Sequence, residues 1–281
     1  MYKKIAILFF LALTTLVAIS QDSVLFKMNY KPMFEYGQVL SMKMRMEMSS
    51  SGDSTLSNAQ STAGLNKPFI MNLDQIIDSK TVTGKLAADK KFPVYTSAIS
   101  TTTAMKDTAR TNRFEMYGYA TTESLPVLDS IDANTFNAEA KKELLKTMNN
   151  MFTQMEMPDK KMAVGEDYIK TSPMNIPATG MEMNMIATTK YSLISVTDST
   201  AVFTVTTNYS MNMDSKNSSI GDFNGFGEGK GEMIYSRKYN YPTKYTSSMK
   251  MEITGGKQDS SLKMHIILET GLESVCSIKS L

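Results

Sequence analysis

The sequence predicts a mainly β (α+β) protein, in which one strongly curved antiparallel sheet or half-barrel carries a single principal amphipathic helix. Three observations predict this fold. Apolar and polar residues alternate along most of the chain after residue 20, and clusters of Gly, Asp, Asn and Ser separate the alternating segments. Helical periodicity is convincing only in residues 137–155.

The clearest strand is segment 42–48, which reads Met-Lys-Met-Arg-Met-Glu-Met. Side chains two residues apart point to the same face of an extended chain, so the four methionines must share one face. A helix would scatter them around its circumference, because its period is 3.6 residues. We therefore predict a strand with an apolar face formed by Met42, Met44, Met46 and Met48.

Eight further segments show the same alternation and are rich in Thr, Val, Ile, Tyr and Met. The connection Thr-Asp-Ser-Thr at 197–200 joins two of them and predicts a hairpin turn. Segments 49–64 and 213–225 are predicted as loops that are too short to separate domains. The predicted strands are 80–83, 94–102, 113–119, 188–196, 201–213, 228–237, 244–253 and 262–269.

Residues 137–155 are predicted to form a helix, because their apolar residues recur at intervals of three and four. Asn134 or Asn137 can cap its start, and Pro158 disfavours its extension. We expect the apolar side of the helix to pack onto the sheet. That side consists of Ala140, Leu144, Met148, Met151, Phe152 and Met155.

The first 20 residues have the pattern of a signal peptide. Two lysines precede an apolar segment, and Ala18 and Ser20 suit cleavage before Gln21. The apolar segment, residues 5–19, is shorter than the roughly 20 residues of a membrane span. We therefore expect a protein exported to the periplasm or the extracellular space, with no transmembrane segment after cleavage.

The mature chain, residues 21–281, is predicted to be a single β-rich domain. The segment Phe-Pro-Val-Tyr-Thr-Ser at 92–97 resembles Tyr-Pro-Thr-Lys-Tyr-Thr-Ser at 241–247. One interpretation is that the same hairpin design occurs twice. The other is an internal duplication, in which the helix at about 137–155 joins two similar halves at about 24–121 and 157–269.

The charge balance of the mature chain argues against nucleic acid as a partner. Cleavage removes two lysines and no acid, so 30 basic and 28 acidic residues become 28 and 28. A neutral chain has no net attraction to nucleic acid or to an anionic membrane. Partners must then be selected by shape and apolar contact.

No recognisable active site occurs in the sequence, and we expect a protein that is not an enzyme and that needs no cofactor. His265, the single histidine, is predicted to be exposed on a strand. One histidine argues against a zinc site built on imidazole and against a Ser-His-Asp triad. Cys276, the single cysteine, is expected to be an inert thiol, and a disulfide between two copies is the alternative.

Two motifs that resemble ligand-binding loops depart from the required pattern. Glycines 225, 227, 229 and 231 alternate strictly and lead into a strand, unlike a phosphate-binding loop. We expect them to bend the strand or to admit another element, such as the helix, at close range. The segment that begins at Asp222 resembles a calcium loop, but its twelfth residue is Met233 where an acid is needed. We therefore predict no metal site.

Methionine is the unusual feature of the composition, with 25 residues in 281 and no tryptophan. Because methionine is flexible and polarizable, a face lined with it adapts to irregular apolar partners. The face could be ordinary core, a cavity for an acyl chain between the sheet and the helix, or a set of thioether ligands for Cu(I).

The function that we predict is binding of an apolar or lipid-like ligand in a methionine-lined cavity. The alternative is a structural or protein-interaction component of the cell envelope, without a small-molecule ligand, whose edge strands meet another envelope protein. The predicted ligand-binding residues are Met42, Met44, Met46, Met48, Leu144, Met148 and Met151.

Three segments resemble an uncharacterised family of secreted β-rich proteins of Gram-negative bacteria. They are Phe-Lys-Met-Asn-Tyr-Lys-Pro-Met-Phe-Glu-Tyr-Gly-Gln-Val-Leu at 26–40, Met-Ala-Val-Gly-Glu-Asp-Tyr at 162–168 and Gly-Glu-Gly-Lys-Gly-Glu-Met at 227–233. The predicted fold is more distantly similar to the periplasmic carriers of lipoproteins, whose half-barrel binds acyl chains. That similarity implies acyl-chain binding, although the carriers have more helical cover than one helix provides.

Overall fold

The structure is a computed structural model, and it describes residues 23–51, 68–104, 109–133, 136–155, 157, 159–178, 181–213, 222–256 and 263–281. The predicted signal peptide, residues 1–20, lies outside the described residues, as do 52–64 and 214–221 of the two predicted loops. The described part of the chain is mainly β with one helix, as the sequence predicts. Its elements are β1 Ser23–Phe26, β2 Phe34–Ser51, β3 Phe69–Thr83, β4 Lys91–Ala104, β5 Arg110–Thr121, β6 Val127–Asp132, α1 Ala138–Met155, β7 Lys160–Ala163, β8 Asp167–Ala178, β9 Met181–Val196, β10 Thr200–Met213, β11 Asp222–Ser236, β12 Tyr241–Gly256 and β13 Lys263–Ser280.

Eleven antiparallel strands form one sheet in the order β6-β5-β4-β3-β2-β13-β12-β11-β10-β9-β8. Neighbours in the sheet are also neighbours in the chain, except at the centre. There β2 pairs with β13 along its whole length, from Phe34 opposite Ser280 to Ser51 opposite Lys263. In the described residues β6 and β8 are the two edges, so the sheet does not close on itself. The other two strands, β1 and β7, pair with each other.

The predicted strands are confirmed, and most of them extend further than the sequence indicated. Predicted strand 80–83 is only the end of β3, Phe69–Thr83. Both loop predictions were wrong at their ends. Residues 49–51 belong to β2, Met213 ends β10, and residues 222–225 pair with residues 253–256 of β12 as the start of β11. Strands β1, β6, β7 and β8 were not predicted. Three of them have only four to six residues, and β8 contains two prolines, which depress its strand signal.

Helix α1 begins and packs as the sequence predicts. The side-chain oxygen of Asn137 accepts a hydrogen bond from the Ala140 N–H at 2.9 Å, which makes Asn137 the N-cap. The other candidate cap, Asn134, lies outside the described residues. The apolar side of the helix packs against β5 and β6, and the packed cluster consists of Phe114, Met116, Leu128, Ile131, Ala133, Leu144, Leu145, Met148 and Phe152.

The helix also satisfies the exposed backbone of edge strand β6. The Asn149 amide group donates a hydrogen bond to the Leu128 carbonyl at 3.0 Å. The Leu128 N–H donates one back to the Asn149 side-chain oxygen at 2.8 Å. Asn149 therefore occupies the place that a further strand would take, and it blocks pairing at this position of the edge.

A short N-terminal segment, residues 23–31, crosses one end of the sheet and packs against its buried face. The Phe26 ring stacks on Phe203 with 4.5 Å between ring centroids. It also lies 6.2 Å from Tyr168, 5.5 Å from Tyr191 and 6.0 Å from Tyr235. These four aromatic residues belong to β8, β9, β10 and β11, so a single ring connects four strands.

The same segment reaches the central strands through Tyr30. Its ring lies 4.6 Å from that of Tyr36 on β2 and 5.4 Å from that of Tyr241 on β12. The Thr83 hydroxyl donates a hydrogen bond to the Lys31 carbonyl at 2.6 Å and so anchors the segment to β3. We call the packed residues around Phe26 and Tyr30 the base core, and it includes Cys276.

Cys276 is a free, buried thiol with 7% of its surface exposed. Burial raises the pKa of this thiol to about 11. A protonated, enclosed thiol is a poor nucleophile, in agreement with the predicted inert cysteine.

Candidate functional site: the methionine face

Strand register places the methionines of β2 on the same face of the sheet as the base core. Tyr36 is buried in that core, and the even-numbered residues of β2 share its side. Met46 is paired with Met71 on β3 and with Leu268 on β13. We call this side the inner face. Its apolar part beyond the base core is the methionine face, formed by Met42, Met44, Met46, Met48, Met71, Leu73, Met185, Tyr209, Met211, Met249, Met251, Ile253, Ile266 and Leu268.

The two sides of β2 differ in polarity, as the alternation predicts. The four methionines of 42–48 are half-buried, whereas Lys43 and Arg45 between them are exposed on the outer face. Arg45 forms ion pairs there with Glu47 at 2.8 Å and with Glu269 of β13 at 3.6 Å. Segment 42–48 therefore presents a charged outer side and an apolar inner side, whereas Val39 on the outer side of the same strand and its partner Val275 of β13 are apolar and exposed.

Three methionines form the buried centre of the methionine face. Met185, Met211 and Met251 are 8%, 5% and 2% exposed, and they pack into one cluster. Its half-buried members are Tyr209, Met249, Ile253 and Leu268. All seven residues lie on β9, β10, β12 and β13, so α1, β1 and β7 contribute no described residue to the cluster.

The glycines of β11 make room for this cluster. A Cβ atom on Gly225 would meet the Met211 terminal methyl group at 3.2 Å and Ile253 at 3.0 Å. Side chains from β10 and β12 therefore occupy the space above the β11 backbone that the glycines leave free. The sequence predicted that these glycines admit another element at close range. The neighbouring strands, and not the helix, supply the side chains that do so.

The predicted ligand-binding residues fall into two separate groups. Met42, Met44, Met46 and Met48 lie on β2 at the centre of the sheet. Leu144 and Met148 pack against β5 and β6 near one edge. Met151 lies in α1, but its side chain is outside the described residues. The helix is held at β6 by Asn149 and by its own apolar side, and β3, β4 and β5 separate β6 from β2.

The outer face carries a shallow groove of about 300 Å³ over β11, β12 and β13. Its polar lining combines two lysines with two glutamates, so it has no net charge to select an anion or a cation. The outer-face residues of its lining are Glu228, Lys230, Ser248, Lys250 and Glu269, and the lining is completed by Met249 and Thr270, which alternation assigns to the inner face.

His265 lies on β13, where it is paired with Thr254 and with Ser49. It is on the outer face, as alternation predicts, but it is half-buried and not exposed, because strands on both sides flank it. The described residues contain no group of three or more His, Cys, Asp or Glu side chains that could hold a metal ion. Among the same residues, no helix combines the length and the apolar character that crossing a membrane requires.

No protein-family model matches the chain, and a search of curated proteins finds no match. Among solved structures, an engineered protein studied for asymmetric conductivity is 9% identical, with 83% of this chain and 99% of that one covered and a TM-score of 0.28. A mutant of Rh. blastica porin is 7% identical, with 85% and 100% covered and a TM-score of 0.27. The InvG secretin domain β-barrel of the Salmonella SPI-1 injectisome is 7% identical, with 98% and 68% covered and a TM-score of 0.19. TM-scores this low assign neither a shared fold nor a function.

Proposed function

We propose that the protein is an exported binding module that holds an apolar or lipid-like ligand against the methionine face. One observation carries the proposal. The methionine face continues across the strands from β9 to β3, and its residues outside the buried cluster of Met185, Met211 and Met251 are only half-buried. Half-buried methionine adapts its shape to an irregular apolar partner. An acyl chain is the simplest ligand with that character.

The contacts of Phe26 support the further proposal that the sheet is strongly curved. In a flat sheet, β8 and β11 would be about 14 Å apart, since neighbouring strands are about 4.8 Å apart. Phe26 contacts Tyr168 and Tyr235 on these two strands, with 6.2 and 6.0 Å between centroids, so the two tyrosine rings are at most about 12 Å apart. A sheet curved toward its inner face would surround a bound chain on several sides, as in the half-barrel carriers of lipoproteins.

The expected affinity is moderate. A chain that buries about 300 Å² of apolar surface gains about 7 kcal/mol at about 25 cal/mol per Å². That free energy corresponds to a dissociation constant of about 10 μM before the entropy lost on association is subtracted. The entropy lost on association weakens binding further, so the titration should extend to ligand concentrations well above about 10 μM.

The test uses the mature chain 21–281, purified without detergent. Native mass spectrometry should show a co-purifying lipid, and a fluorescent fatty acid should bind the delipidated protein. Met44→Glu together with Met46→Glu places two charges on the methionine face and should abolish uptake, because an ionised carboxylate beside an acyl chain loses its hydration.

The matched control is Lys43→Glu, which changes charge on the outer face of the same strand. It should bind the fatty acid as the unmodified protein does. A mass without adduct, combined with no fatty-acid uptake, would exclude the proposed ligand class. Equal loss of uptake in the control would show that the methionine face is not the binding surface.

Burial of Met185, Met211 and Met251 favours the alternative, that the methionines are core of a structural or interaction protein of the cell envelope. In that case edge strand β8 is the expected contact with another envelope protein. Crosslinking of the exported protein in cells would then give a specific partner, while native mass spectrometry would show no ligand.

Export itself is part of the proposal, since residues 1–22 lie outside the described chain. The mature protein is expected to begin at Gln21. Mass measurement of the protein from the periplasm or the medium tests this directly. An uncleaved chain that remains in the cytoplasm would contradict it.

A further inference from the structure

We propose that Met185, Met211 and Met251 form a Cu(I) site with three thioether ligands. The proposal is independent of ligand binding at the methionine face, because it depends on the buried centre of that face and not on its half-buried remainder. The three side chains are at least nine-tenths buried and belong to one packed cluster.

Register brings the three methionines together from distant parts of the sequence. Met185 on β9 is paired directly with Met211 on β10. The Cβ atoms of such a pair are about 5 Å apart, so both sulfur atoms can reach a common ion.

The third methionine approaches from the opposite side of β11. Met211 extends over Gly225, where its terminal methyl group is 3.2 Å from the place a Cβ would occupy. Met251 on β12 borders the neighbouring Gly227, whose added Cβ would lie 2.9 Å from the Met251 Cβ. Glycines 225 and 227 leave room above β11, where the Met211 methyl group and Ile253 of β12 come together over Gly225 and Met251 packs in the same cluster.

Cu(I) fits this set of donors better than other common metals. Thioether sulfur is a soft, uncharged ligand, and soft ligands select Cu(I) over zinc, magnesium and calcium. Burying an uncompensated charge is expensive, and a monovalent ion is less so than a divalent one. The cluster also contains the Tyr209 ring, and an aromatic ring face stabilises a nearby cation.

A Cu(I) site and an ordinary methionine core make different predictions for leucine substitutions. Leucine has nearly the volume of methionine, and such exchanges usually lower stability by less than about 1.5 kcal/mol. Leucine has no sulfur. Met→Leu changes therefore preserve the packing and remove the ligands.

The experiment titrates the mature protein anaerobically with Cu(I) against a chromophoric competitor such as bicinchoninate. The unmodified protein should bind one Cu(I) per chain. The variant M185L/M211L/M251L should bind it at least about 100-fold more weakly, since even outer-shell changes lower metal affinity by up to that factor. The control is Met233→Leu, a 2%-exposed methionine of the base core, which should bind as the unmodified protein does.

A second measurement needs no substitution and remains decisive if the triple variant fails to fold. With ¹³C-methyl-labelled methionine, addition of Ag(I), a redox-inert substitute for Cu(I), should shift three methyl resonances in the NMR spectrum. Their assignment to Met185, Met211 and Met251 would support the site. No Cu(I) binding, unchanged affinity in the leucine variant, or shifts confined to Met42, Met44, Met46 and Met48 would overturn it.

Discussion

Replacement of Phe26 by alanine should destabilise the protein more than any other change in the N-terminal segment. Phe26 is completely buried, it stacks on Phe203, and its ring contacts Tyr168, Tyr191 and Tyr235. Phe→Ala changes in protein cores typically lower the free energy of unfolding by about 3 to 5 kcal/mol. We expect the upper part of this range, because the strands that hold the tyrosines cannot close over the cavity without losing their pairing.

Equilibrium unfolding in urea measures the difference in the free energy of unfolding between Phe26→Ala and the unmodified protein. Circular dichroism and tyrosine fluorescence are the probes, since the chain has no tryptophan. In thermal melts the lower free energy of unfolding corresponds to a decrease of about 6 to 20 °C in Tm for a domain of this size. The control is Leu25→Ala, at a neighbouring side chain that is 46% exposed and should change stability by at most about 0.5 kcal/mol. A decrease of less than about 1 kcal/mol in the free energy of unfolding of Phe26→Ala would refute the conclusion that this ring holds four strands together.

Three further predictions concern the sheet and its titratable groups. Gly231→Ala should lower stability by about 1 to 3 kcal/mol, because its Cβ would collide with the Thr246 carbonyl, whereas Gly271→Ala, with open space around it, should leave the urea midpoint unchanged or higher. The Cys276 thiol, with its pKa raised to about 11, should resist Ellman's reagent at pH 8 in the native protein and react in denaturant, and rapid native reaction would contradict its burial. Two lysine ammonium groups 2.7 and 2.9 Å from the Glu35 carboxylate hold its pKa below the ordinary value of 4.5. The Glu35 carboxylate therefore stabilises the folded state above pH 4.5, and this stabilisation is lost as the pH falls through its folded pKa. Urea midpoints should decrease less between pH 7 and pH 3 in Glu35→Gln than in the unmodified protein.

Periodicity predicted the elements of the sheet well, because side chains on one face of a strand are more exposed to solvent than those on the other face. In β2, Lys43 and Arg45 are exposed while the methionines on either side of them are half-buried, and alternation alone indicates this. The helix was equally predictable, since Asn137 and the apolar residues after it specify both its start and its buried side. Both signals arise within a few residues of sequence.

The N-terminal segment was not predictable in the same way. Residues 23–31 pair with β7 over four residues only, and apart from Tyr36 of the following β2 their ring partners lie on strands far away in sequence. The rings of Phe26 and Tyr30 contact β2 and the strands from β8 to β12, and no local pattern specifies these partners. Burial of such a short irregular segment is a property of the tertiary structure.

Register also decides which methionines can act together. Alternation assigns each Met-x-Met segment a face but no neighbours, because the pairing of β2 with β13 joins residues more than 200 positions apart. Segments at 42–48, 211–213 and 249–251 are separate features of the sequence, yet pairing places Met46, Met211 and Met251 on one surface. The helix residues Leu144 and Met148 have the same apolar character, and pairing assigns them to the edge at β6 instead. Any shared activity of the methionines is therefore a property of strand register, and a substitution that shifts the register of β11 or β13 should disrupt it without changing any methionine.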